Sequence, residues 1–256
     1  MTPHDSEIDD LQMSGDSEGY DLEEGSGGKV LVVATPIGNL DDLSPRARQA
    51  LEDADIVACE DTRRTGRLLA HLGFKKRMMS MHDHNEHRRL PHLMEALHQG
   101  LIITVVSDAG TPLVNDPGFL LVREAAENGI RVEPIPGPSA ILTALVASAL
   151  PPYPFTFGGF APNRVKRRRA FLKQMGELGH TFIFFESPHR LLACLNDAYE
   201  ELGERPAAVC RELTKLHEEV LRGDLRTLHH NLAARPSIKG EFVIVVGPEP
   251  KKKKKS

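Results

Sequence analysis

The chain has 256 residues, 40% apolar and 27% charged, with a formal net charge of -4, which allows one large domain or two moderate ones. No run reaches the roughly 18 apolar residues of a membrane-crossing helix, and residues 1–28, with nine Asp/Glu and no Lys/Arg, do not read as a signal peptide. Cys59, Cys194 and Cys210 are far apart and fit neither a disulfide framework nor a compact metal motif; they are expected as buried free thiols in a reducing cytoplasm.

The overall charge hides a division. An acidic head (1–28) and a run of five lysines (251–255) flank a body in which 27 acidic residues balance 27 basic ones. Both ends, 1–28 and 251–256, are expected to be disordered by composition. The lysine run suits contact with nucleic acid or a solvated terminus.

After the head, strand-like and helix-like segments alternate. Strands are expected at 29–34, 55–59, 78–80, 101–106 and 131–134, and helices at 44–53, 62–72, 87–98, 116–128 and 139–150. This β-α-β-α rhythm argues for a doubly wound, mostly parallel sheet over 29–150. Ser44-Pro45 and Asp116-Pro117 each read as an N-cap followed by proline at the first helical position. The stretch ALPPYPF (149–155) reads as a link into a second α/β unit, 151–250. There, strands at 155–160, 181–185, 207–211, 218–222 and 241–246 and helices at 188–202 and 224–234 suggest a mixed sheet.

Three loops of small residues follow expected strands on one side of the first sheet. Thr35, Pro36, Gly38 and Asn39 form the first, Ser107, Asp108, Ala109, Gly110 and Thr111 the second, and Pro136, Gly137, Ser139 and Ala140 the third. Strand carboxyl ends are where open parallel sheets hold ligands, and small residues let backbone approach closely. The glycine spacings of a dinucleotide fingerprint and of a phosphate-binding loop are both missing. Asp108 is placed to accept a hydrogen bond from a ribose hydroxyl or a cationic group, or only to cap its loop.

Charged constellations stand beside these loops. Arg63, Arg64 and Arg67 open a helix after Glu60-Asp61, and Arg164, Lys166, Arg167, Arg168, Arg169 and Lys173 form a denser group. A phosphate-backbone track or a solvated helix face would explain either. In FFESPHRLL (184–192), Ser187 and Pro188 suit a helix start and Arg190 sits where the helix dipole disfavours a cation, with Glu186 as a candidate partner. HDHNEH (82–87) has no zinc-like spacing and reads as a polar or substrate-facing loop, so no metal is expected.

The motifs ATPIGNLDD (34–42), EDTR (60–63), HNE (84–86), SDAGTP (107–112), DPG (116–118), PGPSA (136–140), ESPHR (186–190), RELTK (211–215) and KGEF (239–242) occur in this order. Together they resemble the bacterial small-subunit (16S) ribosomal RNA cytidine 2'-O-methyltransferases of the tetrapyrrole (corrin/porphyrin) methylase superfamily, over residues 29 to 247. The resemblance implies two α/β domains with S-adenosylmethionine in the cleft, lined by the three loops, and a homodimer. The corrin-modifying members carry a glycine-rich, acidic first loop; TPIGN in its place favours RNA as substrate. The implied reaction is methyl transfer to a cytidine ribose 2'-hydroxyl in the decoding region of 16S rRNA, probed within the assembled small subunit. Glu60 or Asp61, with Lys215 as a rival, is the expected proton acceptor, and positioning without a dedicated base is a third route. Arg63 and Arg190, with Arg164, Arg167 and Arg168, are expected on RNA phosphates. A tetrapyrrole methyltransferase, a nucleotide-binding oxidoreductase and a non-enzymatic RNA-binding subunit are the alternatives.

Overall fold

The computed structural model describes residues 27–82 and 84–250. The expected disordered ends fall outside these residues, apart from Gly27 and Gly28, and so does Asp83.

Strands β1 (Lys29–Val33), β2 (Ile56–Cys59), β3 (Arg77–Ser80), β4 (Ile102–Val106) and β5 (Arg131–Ile135) form a parallel sheet in the order β3-β2-β4-β1-β5. Helices α1 (Pro45–Asp53) and α2 (Thr62–Leu72) cover one face, and α3 (Glu86–His98) and α4 (Phe119–Glu127) the other. Leu31 and Val33 of β1 pack with Leu51 and Leu69, while Val30 and Val32 pack with Leu93 and Leu121. Because both faces are covered, β1 is an unbroken apolar run rather than an alternating one. The connection leaving β1 goes to one face of the sheet and that leaving its neighbour β4 goes to the other. The crevice between diverging connections is where such sheets bind ligands, and here it opens at Thr35 and Ser107.

The second sheet contains β6 (Phe155–Phe160), β7 (Thr181–Glu186), β8 (Pro206–Arg211), β9 (Glu219–Asp224) and β10 (Phe242–Val246), in the order β6-β7-β10-β8-β9. Only the β6–β7 pair is parallel, so the sheet is mixed as expected. Helices α6 (Val165–Glu177), α7 (Leu191–Leu202) and α8 (Leu225–Ala233) cover one face. The other face is covered by α5 (Ala140–Ser148), which precedes the link, and by Ile37 of the first loop. Residues of β10 alternate between the two: Phe242, Ile244 and Val246 toward the helices, Val243 and Val245 toward α5.

Two expected helix starts are displaced. Ser44 caps α1 as read, its Oγ accepting from the Ala47 amide at 3.1 Å. Asp116, by contrast, does not open α4. Positive φ at Leu113, Asn115 and Gly118 keeps the chain turning until Phe119. The cap comes from another helix: Glu86 Oε1 of α3 accepts from the Gly118 and Leu120 amides at 3.0 and 2.9 Å. Likewise Ser187 and Pro188 lie in a turn closed by the Arg190 amide on the Ser187 carbonyl, and α7 begins at Leu191.

Candidate active site

The three loops meet at the carboxyl ends of β1, β4 and β5. Thr35 and Gly110 exchange backbone hydrogen bonds of 2.9 and 3.0 Å, stitching the first loop to the second. Thr35 Oγ1 donates to the Ser107 carbonyl at 3.3 Å, and Ser107 Oγ donates to the Gly110 carbonyl at 3.2 Å. Both residues are buried, and these hydroxyls tie the loops together. Thr111 Oγ1 donates to the Pro138 carbonyl at 3.1 Å, joining the second loop to the third. Gly110 has φ +89°, and a Cβ at Gly137 would stand 3.1 Å from that of Ala34. Ser139 is the N-cap residue of α5, ahead of Ala140, and its Oγ accepts from the Leu142 amide at 3.4 Å.

The second sheet closes on the first loop. The Asn39 amide donates to Thr214 Oγ1 at 3.1 Å, and Asn39 Oδ1 accepts from the Asp41 amide at 3.1 Å. A Cβ on Gly38 would collide with Lys215 and come within 2.9 Å of the Leu213 carbonyl. Lys215 Nζ donates to Glu212 Oε1 at 2.9 Å and Glu241 Oε2 at 3.0 Å. Burial pushes the Lys215 pKa down, but these two carboxylates outweigh it and leave it raised. Lys215 therefore keeps its proton, and its expected role as a base is corrected to a cation that braces the loop.

Glu60 and Asp61 stand at the end of β2. Glu60 is exposed, and its carbonyl accepts from Ser80 Oγ at 3.3 Å. Asp61 is the N-cap residue of α2: its Oδ1 accepts from the Arg63 amide at 2.8 Å. That amide, with further help from the Arg63 side chain, holds its carboxyl below the ordinary value, which weakens Asp61 as a proton acceptor. Its own amide donates to Asp108 Oδ1 at 3.1 Å, and Arg64 Nη1 lies 3.4 Å from Asp108 Oδ2. Asp108 thus joins the second loop to α2 rather than only capping its own loop.

Beside these groups lies a cavity of about 220 Å³ lined by Thr35, Pro36, Ser107, Asp108, Leu40 and the α2 face. That face is Arg64, Arg67, Leu68 and His71, the i, i+3, i+4, i+7 stripe of one helix side. The sequence already showed Arg64 and Arg67 as a basic group; Leu68 and His71 were missed, although the helical spacing was there to find them.

The expected RNA-facing arginines separate. Arg63 is exposed, at 87% of its side chain, and so are Arg164 and Arg167. Arg168 is buried and its Nε and Nη2 lie 2.8 and 2.6 Å from Asp197 Oδ2, which corrects its assignment to a phosphate: it ties α6 to α7. Arg190 Nη2 lies 2.6 Å from Glu186 Oε1, the partner expected for it, and its Nε donates to Ser187 Oγ at 3.3 Å. In the histidine-rich stretch, Glu86 caps α4 while Asn85 Oδ1 accepts from the His82 amide at 2.9 Å. These contacts make it a brace between β3, α3 and α4.

S-adenosylmethionine fits the three loops by its chemistry. The one charged side chain within them is Asp108, a carboxylate, whose sign suits a nearby sulfonium. Ala109, Thr111, Pro136 and Gly137 form an exposed, small-residue edge that leaves backbone amides and carbonyls within reach.

The family model "Tetrapyrrole (Corrin/Porphyrin) Methylases" matches residues 29–229. A protein of Mycobacterium tuberculosis named ribosomal RNA small subunit methyltransferase I is 49% identical over 224 residues, 86% of this chain and 78% of that protein. Its namesake from Mesorhizobium japonicum is 51% identical over 218 residues, 85% of this chain and 74% of that protein. In fold, the chain is similar to the crystal structure of uroporphyrin-III C-methyltransferase from Thermus thermophilus complexed with S-adenyl homocysteine. That match has a TM-score of 0.59 and 17% identity over 86% of this chain and 97% of that one. The chain therefore belongs to the tetrapyrrole (corrin/porphyrin) methylases and, among them, to the ribosomal RNA small subunit methyltransferase I family.

Proposed function

We propose that the protein transfers a methyl group from S-adenosylmethionine to the ribose 2'-hydroxyl of a cytidine in the decoding region of 16S rRNA, acting on the assembled small subunit in the cytoplasm. The observation that carries this reading is the identity of about half the residues with the ribosomal RNA methyltransferases. The tetrapyrrole-modifying protein named above is similar in fold but shares only 17% of residues. A cavity of about 220 Å³ with arginines on its helical wall also suits a nucleotide better than a macrocycle.

When bound, the cofactor supplies an electrophilic methyl on its sulfonium. The protein must align the ribose oxygen with that methyl and accept the hydroxyl proton as the new C–O bond forms. The backbone of the three loops holds the cofactor. Arg63 and Arg67 on α2, with Arg164 and Arg167 on α6, meet RNA phosphates. Asp61 is made less basic by its capping role and Lys215 is held protonated, so we assign proton acceptance to Glu60, exposed at the end of β2. Turnover unchanged in Glu60→Gln at saturating RNA would remove that assignment and leave positioning alone.

No helix among the described residues is long and apolar enough to cross a membrane, and the three cysteines are free and buried. Leu142 and Val146 on α5, with Tyr153 beyond it, expose apolar surface at 53%, 80% and 89%, which supports a homodimer. The deciding assay incubates small ribosomal subunits lacking ribose methylation with methyl-labelled S-adenosylmethionine, then digests the RNA to nucleosides. Label in 2'-O-methylcytidine is the expected result. Bound cofactor without label in RNA would overturn the reading.

A further inference from the structure

The cavity beside the first two loops has features that the transfer step does not require. We propose that it receives the base of the target nucleotide, turned out of its strand, and that Asp108 selects cytosine over uracil by accepting from the exocyclic amine. This inference rests on the RNA reading above.

Size comes first. At about 220 Å³ the space lies below the roughly 300–1,000 Å³ typical of drug-sized ligand sites. It suits a single ring. Its walls match a ring's surfaces: Pro36, Leu40 and Leu68 are apolar, while the polar groups gather at Asp108, Arg64, Arg67 and His71. Sequence-specific recognition of RNA mostly targets unstacked bases, which are splayed out and read along their Watson–Crick and Hoogsteen edges.

The edge chemistry is directional. Asp108 is held from two sides, Oδ1 by the Asp61 amide and Oδ2 by Arg64. A carboxylate oxygen has more than one accepting direction, so each retains capacity. Asp108 and Arg64 therefore present an acceptor beside a donor. Cytosine offers the complement, an amine donor beside the N3 acceptor. Uracil offers the reverse order, O4 against the carboxylate and N3–H against the guanidinium. Carboxylates accept from the cytosine amine in base recognition generally.

Position completes the case. Thr35, Pro36, Ser107 and Asp108 belong to both the cavity wall and the cofactor loops. A base seated in the cavity would bring its ribose over those loops. Arg63, next to Arg64 in the first turn of α2, is exposed near the cavity and can meet the flanking phosphates. Asp108 is thereby reassigned from cofactor contact to base selection.

The test compares wild type and Asp108→Asn on small subunits reconstituted with C or U at the methylated position, reading 2'-O-methylcytidine and 2'-O-methyluridine. Calorimetry measures S-adenosylmethionine affinity in parallel. Wild type should favour C by about 10- to 100-fold, the discrimination of one well-made base contact. Asparagine presents either an acceptor or a donor, so the variant should lose most of that ratio while its cofactor affinity stays unchanged. An unchanged ratio, or cofactor affinity weakened tenfold or more, overturns the proposal. Leu68→Phe, which narrows the cavity, should lower methylation of C with cofactor affinity unchanged; full activity there also overturns it. A wild-type enzyme that methylates both pyrimidines equally overturns this proposal alone, whereas one that labels no RNA overturns the parent reading as well.

Discussion

The arginines of α2 and those of α6 look alike in sequence: basic runs at the start of a helix. On α2, Arg64 and Arg67 line a cavity and Arg63 stands exposed beside them. On α6, Arg168 is buried against Asp197, and Arg169 bridges Asp197 at 3.0 Å and Glu201 at 3.7 Å. The difference comes from what each helix packs on. Helix α2 turns one stripe toward the crevice at the strand ends, whereas α6 lies against α7, whose carboxylates claim Arg168 and Arg169 and leave Arg164 and Arg167 exposed. Net charge along a segment therefore predicts a nucleic-acid surface only after internal partners are subtracted.

The sharpest break of this comparison is Arg168→Met. Among the described residues, it leaves the Asp197 carboxylate, 7% exposed, with Arg169 as its remaining ion-pair partner. Breaking a buried pair costs about 3 kcal/mol or more, so the denaturant midpoint should fall markedly while the folded fraction binds RNA as before. Weakened RNA binding at unchanged stability would make the two clusters equivalent. Arg67→Ala should act the other way, with stability near wild type, RNA affinity several-fold weaker and a salt slope shallower by about one. Arg164→Ala with Arg167→Ala should give a smaller loss of RNA affinity, since neither residue lines the cavity; a loss exceeding that of Arg67→Ala would move the principal contact to α6.

The smallest effect concerns pH and the brace on the first loop. Burial raises the Glu212 pKa, but the Lys215 hydrogen bond and the Glu241 amide outweigh it and leave it below its ordinary 4.5. Its contribution is present above that pH and is lost as pH falls through the lower folded value. The raised Lys215 contributes below its ordinary 10.5 and loses that contribution as pH rises through the higher folded value. The stability gap between wild type and Lys215→Met should stay constant between these limits and shrink outside them, as thermal unfolding across pH would record.

Much of the architecture was legible in local patterns. The apolar runs of β1 and β4 and the Ser44-Pro45 cap each report a local preference, and each is where the sequence put it. What was not legible depends on partners distant in sequence. Asp116-Pro117 has the form of a helix start, yet Glu86, about thirty residues earlier, supplies the cap two residues later in the chain. The same holds for the site. The loops could be named from their small residues, but the burial of the Thr35 and Ser107 hydroxyls and the pairing of Asp108 with Arg64 follow from strand order. Lys215 read as a rival proton acceptor because one of its two partners, Glu241, lies 26 residues further along the chain.

Ile37, Ala144 and Leu145 come before the proline-rich link, yet they share a core with Ile183, Ala208 and Val245 after it. A break at the link would strip β8 and β10 of their cover and leave α5 with a bare apolar flank. The halves are thus not interchangeable modules. A gene split at that point would yield fragments that work only by reassembling, and a chimera joined there would inherit a mismatched seam unless α5 travelled with the second sheet.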